Sequence, residues 1–134
     1  MYEMDKPAPP GRTPRLGERA AAGRRVRVDD LDSAVAALEA ARAAGQPARL
    51  ESPEAAAGRQ GIGWWQALLD EASRQVPGVA VDAVLDCGSA PGHALAALAA
   101  GVPQMRLDCD GPARAAQAAM AARRGARLLG PGED

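Results

Sequence analysis

The chain has 134 residues, with 16 basic against 17 acidic side chains and a net charge of −1. That length suits one domain, and the charge balance excludes the general attraction to nucleic acid or acidic membranes of a strongly basic chain. No apolar run reaches the roughly 18 residues of a membrane span. The motif Lys6-Pro7-Ala8-Pro9-Pro10-Gly11 breaks any signal-like stretch at the start. A cytoplasmic protein with reduced Cys87 and Cys109 is expected.

Residues 1–23 mix Pro, Gly and charge without a sustained period, which predicts a disordered tail before one domain spanning 24–134. The first strand is read at Arg25-Val26-Arg27-Val28. Asp29 and Asp30 then offer a helix cap. Leu31, Val35, Leu38 and Arg42 follow at helical spacing, and Gly45 ends the helix. A second strand covers Ala48-Arg49-Leu50-Glu51.

Ser52-Pro53-Glu54 reads as a helix start, with Ser as cap and Pro in the first turn. The stretch Gly58-Arg59-Gln60-Gly61-Ile62-Gly63 interrupts before a second helix, whose apolar stripe is Ile62, Trp65, Leu69, Ala72 and Val76. Pro77-Gly78 stops it.

The third strand runs from Val81 to Cys87. A helix capped near Ser89 carries Leu95, Leu98 and Val102. The fourth strand, Gln104 to Cys109, leads to a helix opened by Pro112 with Ala113, Ala116 and Met120 on one face. Gly125 ends it, and Ala126-Arg127-Leu128 is the fifth strand.

Each strand alternates, and residues two apart share a face. One face collects Val26, Val28, Ala48, Leu50, Val81, Ala83, Leu85, Cys87, Met105, Leu107, Cys109 and Leu128. The other collects Arg25, Arg27, Arg49, Glu51, Asp82, Val84, Asp86, Gln104, Arg106, Asp108 and Arg127. Helices on both sides would demand near-continuous apolar strands. Crossovers between parallel strands are right-handed in ~98% of cases, so helices on one face require every crossover to move the same way. The expected fold is α/β: a singly wound, parallel, five-stranded sheet in order 1-2-3-4-5, like half a (βα)₈ barrel.

The doubly wound flavodoxin-like or receiver-like fold is the alternative. Val28-Asp29-Asp30, the strand-terminal Asp86 before Pro91-Gly92, and Leu129-Gly130-Pro131 together resemble response-regulator receiver domains. The receiver's lysine before the late proline is Gly130 here, Pro91 lies one residue too far from Asp86, and the charged strand face opposes double winding.

Ligands of parallel α/β folds bind beyond the carboxyl ends of the strands. Asp86 and Asp108 stand there at like positions of two similar units, Leu85-Asp86-Cys87-Gly88 and Leu107-Asp108-Cys109-Asp110. Such a pair could share a proton or hold a cation. Pairing with Arg27, Arg106 and Arg127 is the plainer alternative. His93, the one histidine, could be a general base. Gly61 and Gly63, with Ser89 and Gly111, could turn backbone N–H groups toward a phosphate, although neither GxGxxG nor GxxxxGK[ST] is present. A zinc site of Cys87, Cys109 and His93 lacks any CxxC pair and a fourth ligand. No metal or cofactor is called for.

The core is thin, because Ala supplies much of the apolar count and buries little area. A partner surface would offset this. The expected function is therefore that of an accessory or structural protein that self-associates as a homo-oligomer or docks onto a larger protein partner. The alternative is a small half-barrel enzyme or phosphate-ligand binder using Asp86 and Asp108.

Overall fold

The computed structural model describes residues 24–134; the expected tail, residues 1–23, lies outside them. Five parallel strands, in sheet order β1-β2-β3-β4-β5, alternate with four α-helices: β1 Val26–Arg27, α1 Leu31–Ala44, β2 Ala48–Glu51, α2 Ile62–Gln75, β3 Val81–Asp86, α3 Pro91–Ala99, β4 Gln104–Arg106, α4 Pro112–Arg123 and β5 Arg127–Leu129. Each crossover advances by one strand in one direction. With right-handed connections this is a singly wound layer, as the alternation predicts.

The contacts divide into two compact units. One comprises residues 24–51 with Ala67–Ala83; the other comprises Ser52–Gln66 with Val84–Asp134. The division passes through α2 and β3, so both units share these elements.

In the first unit Asp30 caps α1. Its side chain accepts from the Ser33 backbone N–H at 2.8 Å, and the Ser33 hydroxyl accepts in return from the Asp30 N–H. The Ser33 backbone bond, and then its hydroxyl, hold the Asp30 carboxyl below the usual carboxylate range. Gly45, at φ 66°, closes the helix in the left-handed conformation that glycine adopts without strain. Leu38 and Ala34 are the buried positions of α1, with Leu31 and Val35 half-buried.

Val26 is level with Leu50, so the two share a face. Leu50 is fully buried, whereas Val26 remains half exposed. The physical reason is position: β1 is a strand of two residues at the edge of the sheet, with a neighbour on one side only among the described residues.

The opposite face of this unit is closed by charge. Asp82 has no exposed surface. Arg25 reaches it at 3.2 Å and also donates to the Asp82 carbonyl at 2.8 Å, and Arg49 approaches from β2 at 3.5 Å. Two arginines around one buried carboxylate offset much of the desolvation that each would suffer alone.

In the second unit the expected helix start fails. Glu54 and Ala55 form a turn, and the backbone then winds as a π-helical turn, Ala57–Gly61, which runs directly into α2. The glycine stretch therefore does not interrupt a helix; it is wound into one. Ser52 is drawn away from a capping role because its hydroxyl accepts the Asp86 N–H at 2.8 Å. Along α2 the buried side chains are Trp65, Leu68, Ala72 and Val76, while Ile62 and Leu69 are half-buried. The stripe is rotated slightly from the expected one.

α3 begins at Pro91 with Ala90 at its N-cap and no side-chain cap bond, so Ser89 does not serve as one. Leu98 and Val102 are buried and Leu95 is exposed. α4 turns Arg114, Gln117 and Met120 inward and fully buries Ala121 alone, leaving Ala113 and Ala116 exposed. Arg114 and Gln117 win the inward positions by bonding the carbonyls of Leu107 and Pro91; alanine gains too little area to compete.

Removing Asp82 would leave Arg25 and Arg49 buried without their counter-charge. Asp82→Ala should therefore destabilise the protein by about 3–5 kcal/mol, read from the denaturant midpoint. Arg74→Ala, at an exposed pair with Glu71, should change stability by less than about 1 kcal/mol. Equal effects would place the buried cluster among ordinary surface pairs.

Candidate functional site

The carboxyl ends of β3, β4 and β5 open into a cleft of about 250 Å³, lined by Glu54, Asp86, Gly88, Ser89, Arg106, Asp108 and Pro131. All of these belong to the second unit. Parallel strands aim their carboxyl ends at the same edge, so residues just past each strand converge there.

The register sets who meets whom. Asp86 is level with Arg106, and Leu85 with Met105. The like positions expected for Asp86 and Asp108 are therefore displaced by two residues, because the strands pair with an offset of 20 rather than the 22 of the similar units. Asp108 still reaches the cleft, since it lies two residues beyond β4, its N–H bonded to the Gly88 carbonyl at 2.8 Å.

The same register separates the cysteines. The Cys87 N–H donates to the Arg106 carbonyl, which levels Cys87 with Leu107 rather than with Cys109. Cys87 is buried, and Cys109 is only half-buried.

Asp86 is held tightly. Its Oδ1 accepts the Ala55 N–H at 2.9 Å and the Gly88 N–H at 2.7 Å. Its own N–H donates to the Ser52 hydroxyl. Arg106 donates to the carbonyls of Gly130 at 2.7 Å and Glu133 at 2.6 Å. These bonds tie the segment after β5 to β4 and engage Arg106 with main-chain oxygens. The carboxylates of Glu54 and Asp108 have no hydrogen bond or ion pair with the described residues.

Of the candidate residues, Asp86, Asp108 and Ser89 come together at the cleft. His93, Gly61, Gly63 and Gly111 do not line it. His93 is exposed on α3, and its ring lies so close to Gly58 of the π-helical turn that a Cβ there would collide with it. A side chain at Gly58 would therefore have to displace the exposed His93 ring. Gly61 and Gly63 lie in the π-helical turn and the first turn of α2.

Sequence reasoning did not assign Glu54 and Pro131 to the site. Glu54 read as a first-turn helix residue, and only its distance of three residues from the end of β2 pointed to the strand-end edge. Among the described residues no three His, Cys, Asp or Glu side chains are arranged to hold a metal ion. No described helix is long and apolar enough to cross a membrane. No protein-family model matches the chain, and no curated protein matches it either.

Burial, with the neighbouring Asp86 charge as the lesser cause, pushes the Cys87 thiol up from 9.0 to about 12. The folded state keeps this proton where the unfolded chain would release it. Its contribution to stability is complete below about pH 9 and is lost as pH rises toward about 12. Native protein at pH 8 should accordingly take up one equivalent of a thiol reagent rapidly, at Cys109, with Cys87 reacting only after unfolding. Rapid uptake at both would contradict the burial.

Proposed function

We propose that this chain is an accessory protein that docks onto a larger partner, and that its docking point is the strand-end cleft, which seats a basic group of that partner. One observation carries the reading: among the described residues three carboxylates line the cleft, while the one guanidinium there is already bonded to the carbonyls of Gly130 and Glu133. The surplus negative charge favours a lysine or arginine side chain over a phosphate, which Glu54, Asp86 and Asp108 would repel. A cleft of about 250 Å³ suits the head of one such side chain. It is small for a drug-sized ligand, whose pockets run from roughly 300 Å³ upward.

A second reading is self-association along the sheet edge. It is favoured by Val26, a large apolar side chain half exposed on edge strand β1. An open edge can pair with another strand. The shortness of β1 and the charges of Arg25 and Arg27 beside it weigh against that use.

Asp108→Arg separates the two. Its carboxylate has no partner to lose among the described residues, so folding should be unaffected. Titration of a basic peptide, followed by NMR shifts of Gly88 and Ser89, should saturate with the native chain at low salt. The response should weaken as salt rises and vanish in Asp108→Arg. An acidic peptide that binds equally well would sink the cationic-ligand reading. Concentration-dependent sedimentation that Val26→Lys abolishes would favour the edge instead.

A further inference from the structure

We infer that Asp86 is a conformational latch: through one oxygen it joins the two walls of the cleft into a single unit that opens and closes together. The inference goes beyond what the cleft binds, because it concerns how the cleft is formed.

One wall is the segment 52–56. It starts at Ser52, which is fully buried and bonded to β3 by its N–H to the Val84 carbonyl and by its hydroxyl from the Asp86 N–H. It ends at Ala56, which is fully buried. Between them Glu54 projects at the cleft. Ala55, at φ 57°, is the one non-glycine residue with a positive φ among the described residues. A Cβ is disfavoured there, and such strain persists only where the surroundings enforce it. Here the Ala55 N–H donates to Asp86 Oδ1, and the Ala55 carbonyl accepts the N–H groups of Gly58 and Arg59.

The other wall is the turn after β3, which carries Gly88 and Ser89. The Gly88 N–H donates to the same Oδ1. Gly88 also has a positive φ, of 60°, and a Cβ on it would come within 3.1 Å of the Ala55 Cβ. The two walls thus pass close together and share one acceptor, with the strain confined to Ala55. Freeing Ala55 lets it relax to negative φ, which moves Glu54 and removes the support beside Gly88. The latch thus sets the fraction of molecules with a formed cleft, and with it the apparent affinity for any occupant.

Amide hydrogen exchange on the unliganded chain tests this. Coupling requires Ala55 and Gly88 to share one opening rate, distinct from that of Met105 in β4. In Ala55→Gly the left-handed backbone carries no steric cost, so the Gly88 amide should exchange more slowly, by about threefold or more. In Ala55→Pro the ring forbids positive φ and removes the N–H. There Gly88 should lose protection ~10-fold or more, although its own bond to Asp86 is untouched by the substitution. If Met105 also accelerates in the proline variant, the glycine variant decides. A Gly88 rate that ignores the glycine substitution, or differs from that of Ala55 in the native chain, overturns the latch.

Discussion

A parallel sheet wound in one direction can cover only one of its faces with its own helices, and the character of this chain follows from how it treats the other. That face carries Arg25, Arg49, Asp82, Val84 and Gln104, yet Asp82, Val84 and Gln104 are buried and Arg49 nearly so. Burial of charge is tolerable because Asp82 collects two arginines and because the Arg25 guanidinium also satisfies two main-chain carbonyls, those of Leu50 and Asp82. A charge removed from water must find such partners or cost several kcal/mol. In this chain the charged positions of the alternating strands are thus accommodated by mutual pairing and main-chain bonds.

The same logic operates at the carboxyl edge, with a different outcome. Asp86 faces the same side as Asp82, four residues later, where the strand ends. It has no arginine bonded to it among the described contacts; main-chain N–H groups from two loops take that place. Arg106, level with it on β4, turns instead to the carbonyls of Gly130 and Glu133. The result is an edge where cations are engaged by backbone and carboxylates are left to face the cleft. Inside the sheet the charges neutralise one another; at its edge the carboxylates of Glu54 and Asp108 have no partner among the described residues.

The helices show how thin the apolar support is. α2 places Trp65, Leu68, Ala72 and Val76 in the core, whereas α4 fully buries only Ala121 and is fixed as much by polar bonds from Arg114 and Gln117. Large apolar side chains contribute roughly 1.5–3 kcal/mol each when buried, and alanine far less. Cohesion thus rests on the strands and on α1 to α3, with α4 the lightest element.

The sequence by itself determined the element order, the parallel sheet and its single winding, because period-two alternation, cap residues such as Asp30 and Gly45, and the handedness of crossovers are local or topological rules. It also indicated which edge holds the cleft and named Asp86, Ser89 and Asp108 within it. Only the tertiary structure decided the register, which levels Asp86 with Arg106 and parts Cys87 from Cys109; strand offset depends on how neighbouring loops close, and no single strand encodes it. Tertiary contact likewise overrode local propensity at Ser52-Pro53-Glu54. A buried hydroxyl bond to β3 and the Asp86 carboxylate outweigh a helix cap there, and they bring Glu54 to a site that its own neighbours in sequence do not announce.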